Sequence, residues 1–358
     1  MKVLVAMSGG VDSSIAAHLL KEQGYEVIGL SLELWEQRER RKTDVCCSME
    51  AIEGAKAVAK SLGIEHYTMD AKDEFAEDVI ERFCASYISG KTPNPCILCN
   101  RFIKFDLILK KAAEFGAEFI ATGHYARVVK ENSRSLLMKG IDKKKDQSYV
   151  LYVMTQEQLS KTLFPLGSLT KVETRQIAAG LGLPNASRPE SQEICFVGDG
   201  KYIDFIHTLD PEAVKPGPIV DINGRVIGQH KGIAFYTIGQ RKGLGVSNTS
   251  PFYVTAIDRQ SNTVVVGPRE SAMSKRFLVG DLNWVSIGSL SEEKMVRTKL
   301  RSTMTEAPAA IWPADENTVL VEFDEPQWAP APGQSAVFYN GDLVIGGGVI
   351  LNICFSKI

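Results

Sequence analysis

Five apolar residues in a row, Val3-Leu4-Val5-Ala6-Met7, run straight into Ser8-Gly9-Gly10-Val11-Asp12-Ser13-Ser14. An unbroken apolar run of this kind suits a strand buried on both faces, as in a parallel sheet. Two glycines permit a tight turn with close approach of a ligand. Ile15, Ala16, Leu19 and Leu20 then recur at helical spacing until Gly24, a glycine stop. Strand, glycine turn and helix N-terminus in this order converge backbone N–H groups on an anion, the geometry that binds phosphate. Ser8, Ser13 and Ser14 add hydroxyl donors, and Asp12 offers a carboxylate that could help hold Mg2+. The bland alternative is a glycine turn followed by an Asp or Ser helix cap; the position directly after the chain's most apolar strand favours the phosphate site. The lysine of G-x-x-x-x-G-K-[ST] is missing, as is the G-x-G-x-x-G of dinucleotide folds.

The pattern that follows predicts strands over 26–32, 65–69 and 119–122 and helices over 49–62, 73–87 and 102–115. Strands alternating with helices of this length imply a doubly wound parallel α/β sheet. Gly123-His124 then falls at the C-terminal sheet edge, where ligands of open α/β folds sit. Past residue 200 the texture becomes β, with short β-branched runs and two Asn-Gly hairpin signals, Asn223-Gly224 and Asn340-Gly341. The expected division is a catalytic domain over 1–200, a small central mostly-β domain over 201–275 and a C-terminal β-barrel over 276–358.

Several classes are excluded by composition. With 358 residues, 44% hydrophobic and 23% charged, the chain is long enough for two or three domains with real cores. A net charge of −2 rules out a histone-like binder but not local basic patches such as Arg101, Lys104, Lys110 and Lys111, or Lys139 with Lys143 to Lys145. The expected location is cytoplasmic, since neither a signal-peptide core nor a membrane span is visible. Seven cysteines, an odd number, then suggest thiol chemistry or metal binding rather than a disulfide framework.

The thiols fall at Cys46-Cys47, at Cys96 and Cys99 in Thr92-Pro93-Asn94-Pro95-Cys96-Ile97-Leu98-Cys99-Asn100, and singly at Cys84, Cys195 and Cys354. The C-x-x-C pair sits in a proline-stiffened loop ahead of a helix expected to begin near Arg101, where a thiolate is favoured. On its own it fits half a zinc site or a redox pair. Cys195, in Ser191-Gln192-Glu193-Ile194-Cys195-Phe196, would ordinarily be a packed hydrophobe, as would Cys84 and Cys354; Cys46-Cys47 has no assigned role.

The motif S-G-G-x-D-S resembles the ATP-pyrophosphatase (PP) loop, whose enzymes cleave ATP between the α and β phosphates and adenylate a substrate oxygen. Together with Asn94 to Phe105, Ala121-Thr122-Gly123-His124-Tyr125, Lys145 to Ser148, Glu193 to Phe196, Gly239 to Gly245 and Pro332 to Ala336, it makes the whole chain similar to the tRNA-specific 2-thiouridylase family. The resemblance implies ATP-dependent sulfur insertion at C2 of the wobble uridine, U34, of tRNAs for Lys, Glu and Gln, with a cysteine desulfurase or sulfur-relay protein as persulfide donor and no membrane partner. It implies nucleotide contacts at Ala6, Met7, Ser8, Gly9, Gly10, Val11, Asp12, Ser13, Leu32 and Gly123. It makes Cys195 the persulfide carrier and Cys99 its partner thiol, which leave a transient disulfide. It assigns tRNA contacts to Asn94, Pro95, Cys96, Lys145, Asp146, Gln147, Lys299 and Leu300.

Two departures from the family pattern stand out. Many relatives carry Asp where this chain has Cys96, and the added thiol opens a rival route through a [4Fe-4S] cluster on Cys96, Cys99 and Cys195. Lys299-Leu300-Arg301-Ser302 stands where relatives often have R-Y-R-Q. A PP-loop amidotransferase or ligase is the rival enzyme class, and a metal-stapled RNA-binding module the rival non-enzyme; the amidotransferase would need a glutaminase domain or amino-donor site, of which there is no sign.

Overall fold

The computed structural model describes residues 1–34, 49–188, 196, 206–207, 209–246 and 250–354, the last by its backbone alone. Cys46, Cys47 and Cys195 lie outside the described residues. The chain forms two compact units, one of residues 1–79, 96–198 and 341–345, the other of residues 80–95, 199–340 and 346–358.

In the first unit the apolar run becomes β1 (Lys2–Ala6), followed by α1 (Val11–Glu22), β2 (Glu26–Glu33), α2 (Met49–Leu62) and β3 (Glu65–Asp70). Val3, Leu4 and Val5 are fully buried, as a central strand covered on both faces requires. Helical turns follow at α3 (Lys72–Phe75) and, π-wound, at Ala76–Glu81, while α4 (Arg82–Ile88) belongs to the second unit. After α5 (Pro95–Leu98), π turns over Cys99–Leu107 and α6 (Ile108–Glu114), the strand β4 (Phe119–Ala121) returns to the sheet. The helix starts at Pro95, not near Arg101 as the sequence suggests. Proline at a first helical position sacrifices only an N–H that has no intrahelical partner, so Cys96 and Cys99 sit on a helix rather than on a loop.

A hairpin that the sequence pattern does not announce, β5 (Ala126–Glu131) and β6 (Arg134–Lys139), comes next. Its turn is Asn132-Ser133 rather than Asn-Gly, with Asn132 at φ 52°, a conformation asparagine tolerates better than most residues. Then come α7 (Ser148–Leu151), α8 (Gln156–Ser160), β7 (Thr162–Leu163) and α9 (Lys171–Gly180). The sheet is parallel in the order β3-β2-β1-β4-β7. The order reverses between β1 and β4, and at such a switch point the loops leaving the two strands open a crevice at their carboxyl ends.

The second unit is β-rich. A four-stranded sheet joins β8 (Gly217–Asp221), β9 (Val226–His230), β10 (Tyr253–Asp258) and β11 (Thr263–Gly267), with Asn223-Gly224 turning β8 into β9. The remaining strands are β12 (Met273–Trp284), β13 (Lys294–Lys299), β14 (Ala307–Pro313), β15 (Val319–Trp328), β16 (Ser335–Asn340) and β17 (Leu343–Cys354). They run in the order β12-β15-β14-β13-β16-β17, and residues 346–354 of β17 pair back onto β12. Six antiparallel strands thus close into a barrel, which leaves no sheet edge, around Phe277, Val279, Ile311, Phe323 and Phe338. No described helix is long and apolar enough to cross a membrane.

Candidate active site

The switch point holds a cavity of about 300 Å3, the lower end of the range for small-molecule sites. Of the nucleotide contacts expected from the sequence, Ala6, Met7, Ser8, Gly10, Val11, Asp12, Ser13, Leu32 and Gly123 line it. Leu30, Leu34 and Ile108 add to its apolar part.

Each wall has a local cause. Gly10, at φ −82° and ψ 160°, is the N-cap of α1 with no side chain capping it, so the first amides of the helix are left for an anion. The Ser13 and Ser14 hydroxyls turn back onto the Gly10 carbonyl at 3.1 and 2.9 Å, and the Ser8 amide donates to Ser13 Oγ at 3.2 Å. Gly9 adopts φ +71°, and a Cβ there would lie 2.1 Å from the Ala51 carbonyl oxygen. Gly9 is absent from the cavity lining because it faces inward: its carbonyl accepts from Asn185 Nδ2 at 3.0 Å and Arg188 Nη1 at 3.4 Å. Gly123 closes the opposite side, where a Cβ would lie 2.6 Å from the Ser13 nitrogen.

Asp12 ties the loop to residues far along the chain. Its carboxylate lies 2.7 Å, through each oxygen, from Lys171 Nζ and accepts from the Tyr125 hydroxyl at 2.8 Å. Neither partner is recognisable from local pattern. Tyr125 is in turn held by Gln147: the Tyr125 amide donates to Gln147 Oε1 at 2.9 Å and the Gln147 amide to the Tyr125 carbonyl at 3.0 Å. His124 is buried beside Phe105 and Phe164, its Nδ1 2.7 Å from Thr122 Oγ1. Burial, reinforced by the charge of Lys104, holds its imidazole well below the ordinary value, so it is neutral at neutral pH.

The residues assigned to tRNA fall in both units. Lys145 and Gln147 line the same cavity, and Asp146 is a loop brace that accepts from the Gly140 and Ser148 amides, both at 3.1 Å. Cys96 is exposed, Asn94 and Lys299 are half-buried and Pro95 is buried. Leu300 is buried, at 2% exposed. Lys110 and Lys111, part of a basic patch in the sequence, pair with Asp106 at 2.8 Å and Glu114 at 2.5 Å, exposed pairs that contribute little and are easily exchanged.

Cys99 is 8% exposed and, like Cys84 and Cys96, is outside any disulfide. The helical run that carries Cys96 and Cys99 goes on to place Lys104 and Ile108 in the cavity wall. Phe196, immediately after Cys195, packs edge-on against Phe75 with ring centroids 5.7 Å apart. Cys84 is fully buried, and that burial pushes its thiol up to about 11, as suits a packing residue.

The chain matches three family models end to end: a tRNA methyl transferase HUP domain over residues 1–199, a tRNA methyl transferase PRC-barrel domain over 203–268 and an aminomethyltransferase beta-barrel domain over 274–350. It is 51% identical over 354 residues to a tRNA-specific 2-thiouridylase of Heliobacterium modesticaldum, covering 98% of this chain and 92% of that one. The chain belongs to the tRNA-specific 2-thiouridylase family. Other 2-thiouridylases are equally near: that of Halothermothrix orenii is 50% identical, with 98% of both chains covered, and that of Moorella thermoacetica 51% identical, with 98% and 99% covered. Among solved structures, a 4-thiouridine synthetase–RNA complex with bound ATP aligns at 16% identity and a TM-score of 0.37, covering 59% of this chain and 50% of that one.

Proposed function

We propose that this 2-thiouridylase relative replaces the C2 oxygen of the wobble uridine, U34, of tRNAs for Lys, Glu and Gln with sulfur, at the expense of ATP cleaved to AMP and pyrophosphate. The observation that carries the proposal is the pairing of the uncapped phosphate loop with about 50% identity to 2-thiouridylases along 98% of the chain. The methyl transfer named by two of the matched family models is less well served: the cavity is built on the S-G-G-x-D-S loop, which suits a polyphosphate.

A uridine C2 carbonyl is a weak electrophile with no leaving group, so its oxygen is first joined to the α-phosphorus of ATP. Ser8 to Ser13 and the start of α1 hold the phosphates, while Leu30, Leu32 and Leu34 give the adenine an apolar wall. Asp12, the one carboxylate among the described residues of the cavity wall, would help hold a Mg2+ ion, which would neutralise phosphate charge.

Sulfur arrives as the terminal atom of a Cys195 persulfide, loaded by a cysteine desulfurase or relay protein. That sulfur bonds to C2, AMP departs with the C–O electron pair, and the Cys99 thiolate takes the Cys195 sulfur, leaving a Cys99–Cys195 disulfide for an external thiol to reduce. Asn94, Pro95, Cys96, Lys145, Asp146, Gln147, Lys299 and Leu300 are proposed to meet the tRNA, and the target base leaves the anticodon stack to reach the cavity. The alternative route, a [4Fe-4S] cluster, would use Cys96, Cys99 and Cys195, of which Cys195 lies outside the described residues. The proposed domain division is 1–200, 201–275 and 276–358, and the proposed location cytoplasmic.

The test is nucleotide release. AMP and pyrophosphate formation that depends on unmodified tRNA, and that persists in Cys195→Ser while thiolation stops, supports the proposal; nucleotide-independent tRNA binding with no AMP formed refutes it.

A further inference from the structure

The phosphate loop lacks the lysine that the common P-loop carries, and the fold brings one to it from elsewhere. Lys171 opens α9, 159 positions after Asp12, and its ammonium sits 2.7 Å from both Asp12 oxygens on the wall of the cavity. It is 8% exposed. Its backbone is fixed as firmly as its side chain. Thr170 and Glu173 close a capping box around the start of α9, and the Lys171 amide donates to Asp142 Oδ2 at 3.0 Å. That donation is the main reason the Asp142 carboxyl titrates below its usual range.

An ammonium–carboxylate pair with a buried cation and a partly exposed carboxylate is a poor source of stability, because desolvation offsets much of the Coulomb attraction. An apolar pair of similar volume would hold α9 to α1 as well. What the ion pair adds is a cation with three donors beside a loop shaped for phosphate. Lys104, Lys145 and Arg188 also line the wall; Arg188 is engaged with the Gly9 carbonyl, and Lys171 is the cation seen against Asp12.

We propose that Lys171 binds the β- and γ-phosphoryl groups of a nucleoside triphosphate in this cavity and stabilises pyrophosphate as it leaves, replacing the lysine absent from the loop. The inference rests on the cavity being the nucleotide site. In the step it serves, a substrate oxygen bonds to the α-phosphorus, the bond from that phosphorus to the bridging oxygen breaks, and the electron pair leaves with pyrophosphate. Lys171 keeps its proton throughout and contributes charge-assisted hydrogen bonds. Asp12 occupies it when no polyphosphate is present.

Calorimetric titration of the full chain with inorganic pyrophosphate, without divalent cation, tests this in the wild type, Lys171→Met, Asp12→Asn and the double variant, with adenosine titration as the check on folding. Lys171→Met is expected to weaken pyrophosphate binding about 10- to 100-fold. Asp12→Asn is expected to bind at least as tightly as wild type, and the double variant as weakly as Lys171→Met. If Lys171 only balances the Asp12 charge, the double variant, neutral at both positions, binds pyrophosphate like wild type, and that result overturns the inference. Should Lys171→Met not fold, the comparison of Asp12→Asn with the double variant decides alone. A wild type that binds adenosine but not pyrophosphate also overturns it, whereas one that binds neither refutes the nucleotide site itself.

Discussion

The Tyr125 hydroxyl donates to Asp12 Oδ1 at 2.8 Å, and Tyr125 is itself clamped through its amide and carbonyl by Gln147. The segment proposed to meet tRNA is therefore one residue away from the carboxylate of the phosphate loop. Tyr125→Phe keeps the ring and removes the donor. A hydrogen bond to a charged group contributes about 1.5–3 kcal/mol, so the variant is expected to melt a few degrees lower and to form AMP roughly tenfold more slowly. Unchanged AMP formation would show that Asp12 needs no such orientation.

The two loop glycines differ in what they tolerate. Gly9 has a positive φ and backbone at 2.1 Å from a would-be Cβ, while the nearest atom to a Cβ on Gly10, at an ordinary φ of −82°, is Ser8 Oγ at 3.5 Å. Gly9→Ala is expected to abolish ATP binding and to lower the melting temperature; Gly10→Ala is expected to fold with a cost under about 1 kcal/mol. Calorimetric ATP titration and thermal melts on both variants distinguish them, and equal behaviour contradicts the loop geometry.

How far the site could be read from residue order is clear from these contacts. Val3 to Ser14 announces strand, turn and helix because all of its information is local: an apolar run, two glycines and a 3.6-residue repeat. The strand over 119–122 and Gly123 follow by the same logic, as do both Asn-Gly hairpins. Tyr125 was part of a recognised segment, but its hydroxyl's partner was not visible. Lys171 and Asn185 were missed altogether, since pairing across 159 or 171 positions leaves no trace in periodicity. Their nearest signal was Thr170 with Glu173, a capping-box spacing that marks where α9 starts. The early helix start at Pro95 escapes the sequence for a related reason, because helix continuation depends on neighbours distant in sequence.

His124 gives the protein an acid-side signature. Its folded-state imidazole titrates well below the ordinary value, so below about pH 6.5 the unfolded chain takes up a proton that the folded chain refuses. Stability is therefore expected to fall as pH drops from 7.5 to 5.5, by at most about 1.4 kcal/mol per pH unit from this residue. His66 and His230, lowered mainly by burial, steepen the slope further. In His124→Asn the loss measured by denaturant melts over the same range is expected to be smaller; an identical pH profile would contradict the buried neutral imidazole.

Thiol reactivity separates the roles of the described cysteines. Cys84, at about 11 and fully buried, is about one part in a thousand thiolate at pH 8, whereas Cys96 is exposed. Brief treatment with iodoacetamide followed by peptide mass spectrometry is expected to find Cys96 modified and Cys84 intact. Modification of both at the same rate in the folded protein would contradict the packing assigned to Cys84.

The central claim is sulfur insertion at uridine, and nucleoside mass spectrometry of unmodified tRNA incubated with the full chain, ATP, Mg2+ and a cysteine desulfurase tests it most directly. The expected product is 2-thiouridine at the wobble position, formed only with ATP and lost in both Cys99→Ser and Cys195→Ser. A methylated nucleoside instead of a thiolated one, or full thiolation by Cys195→Ser, would contradict it.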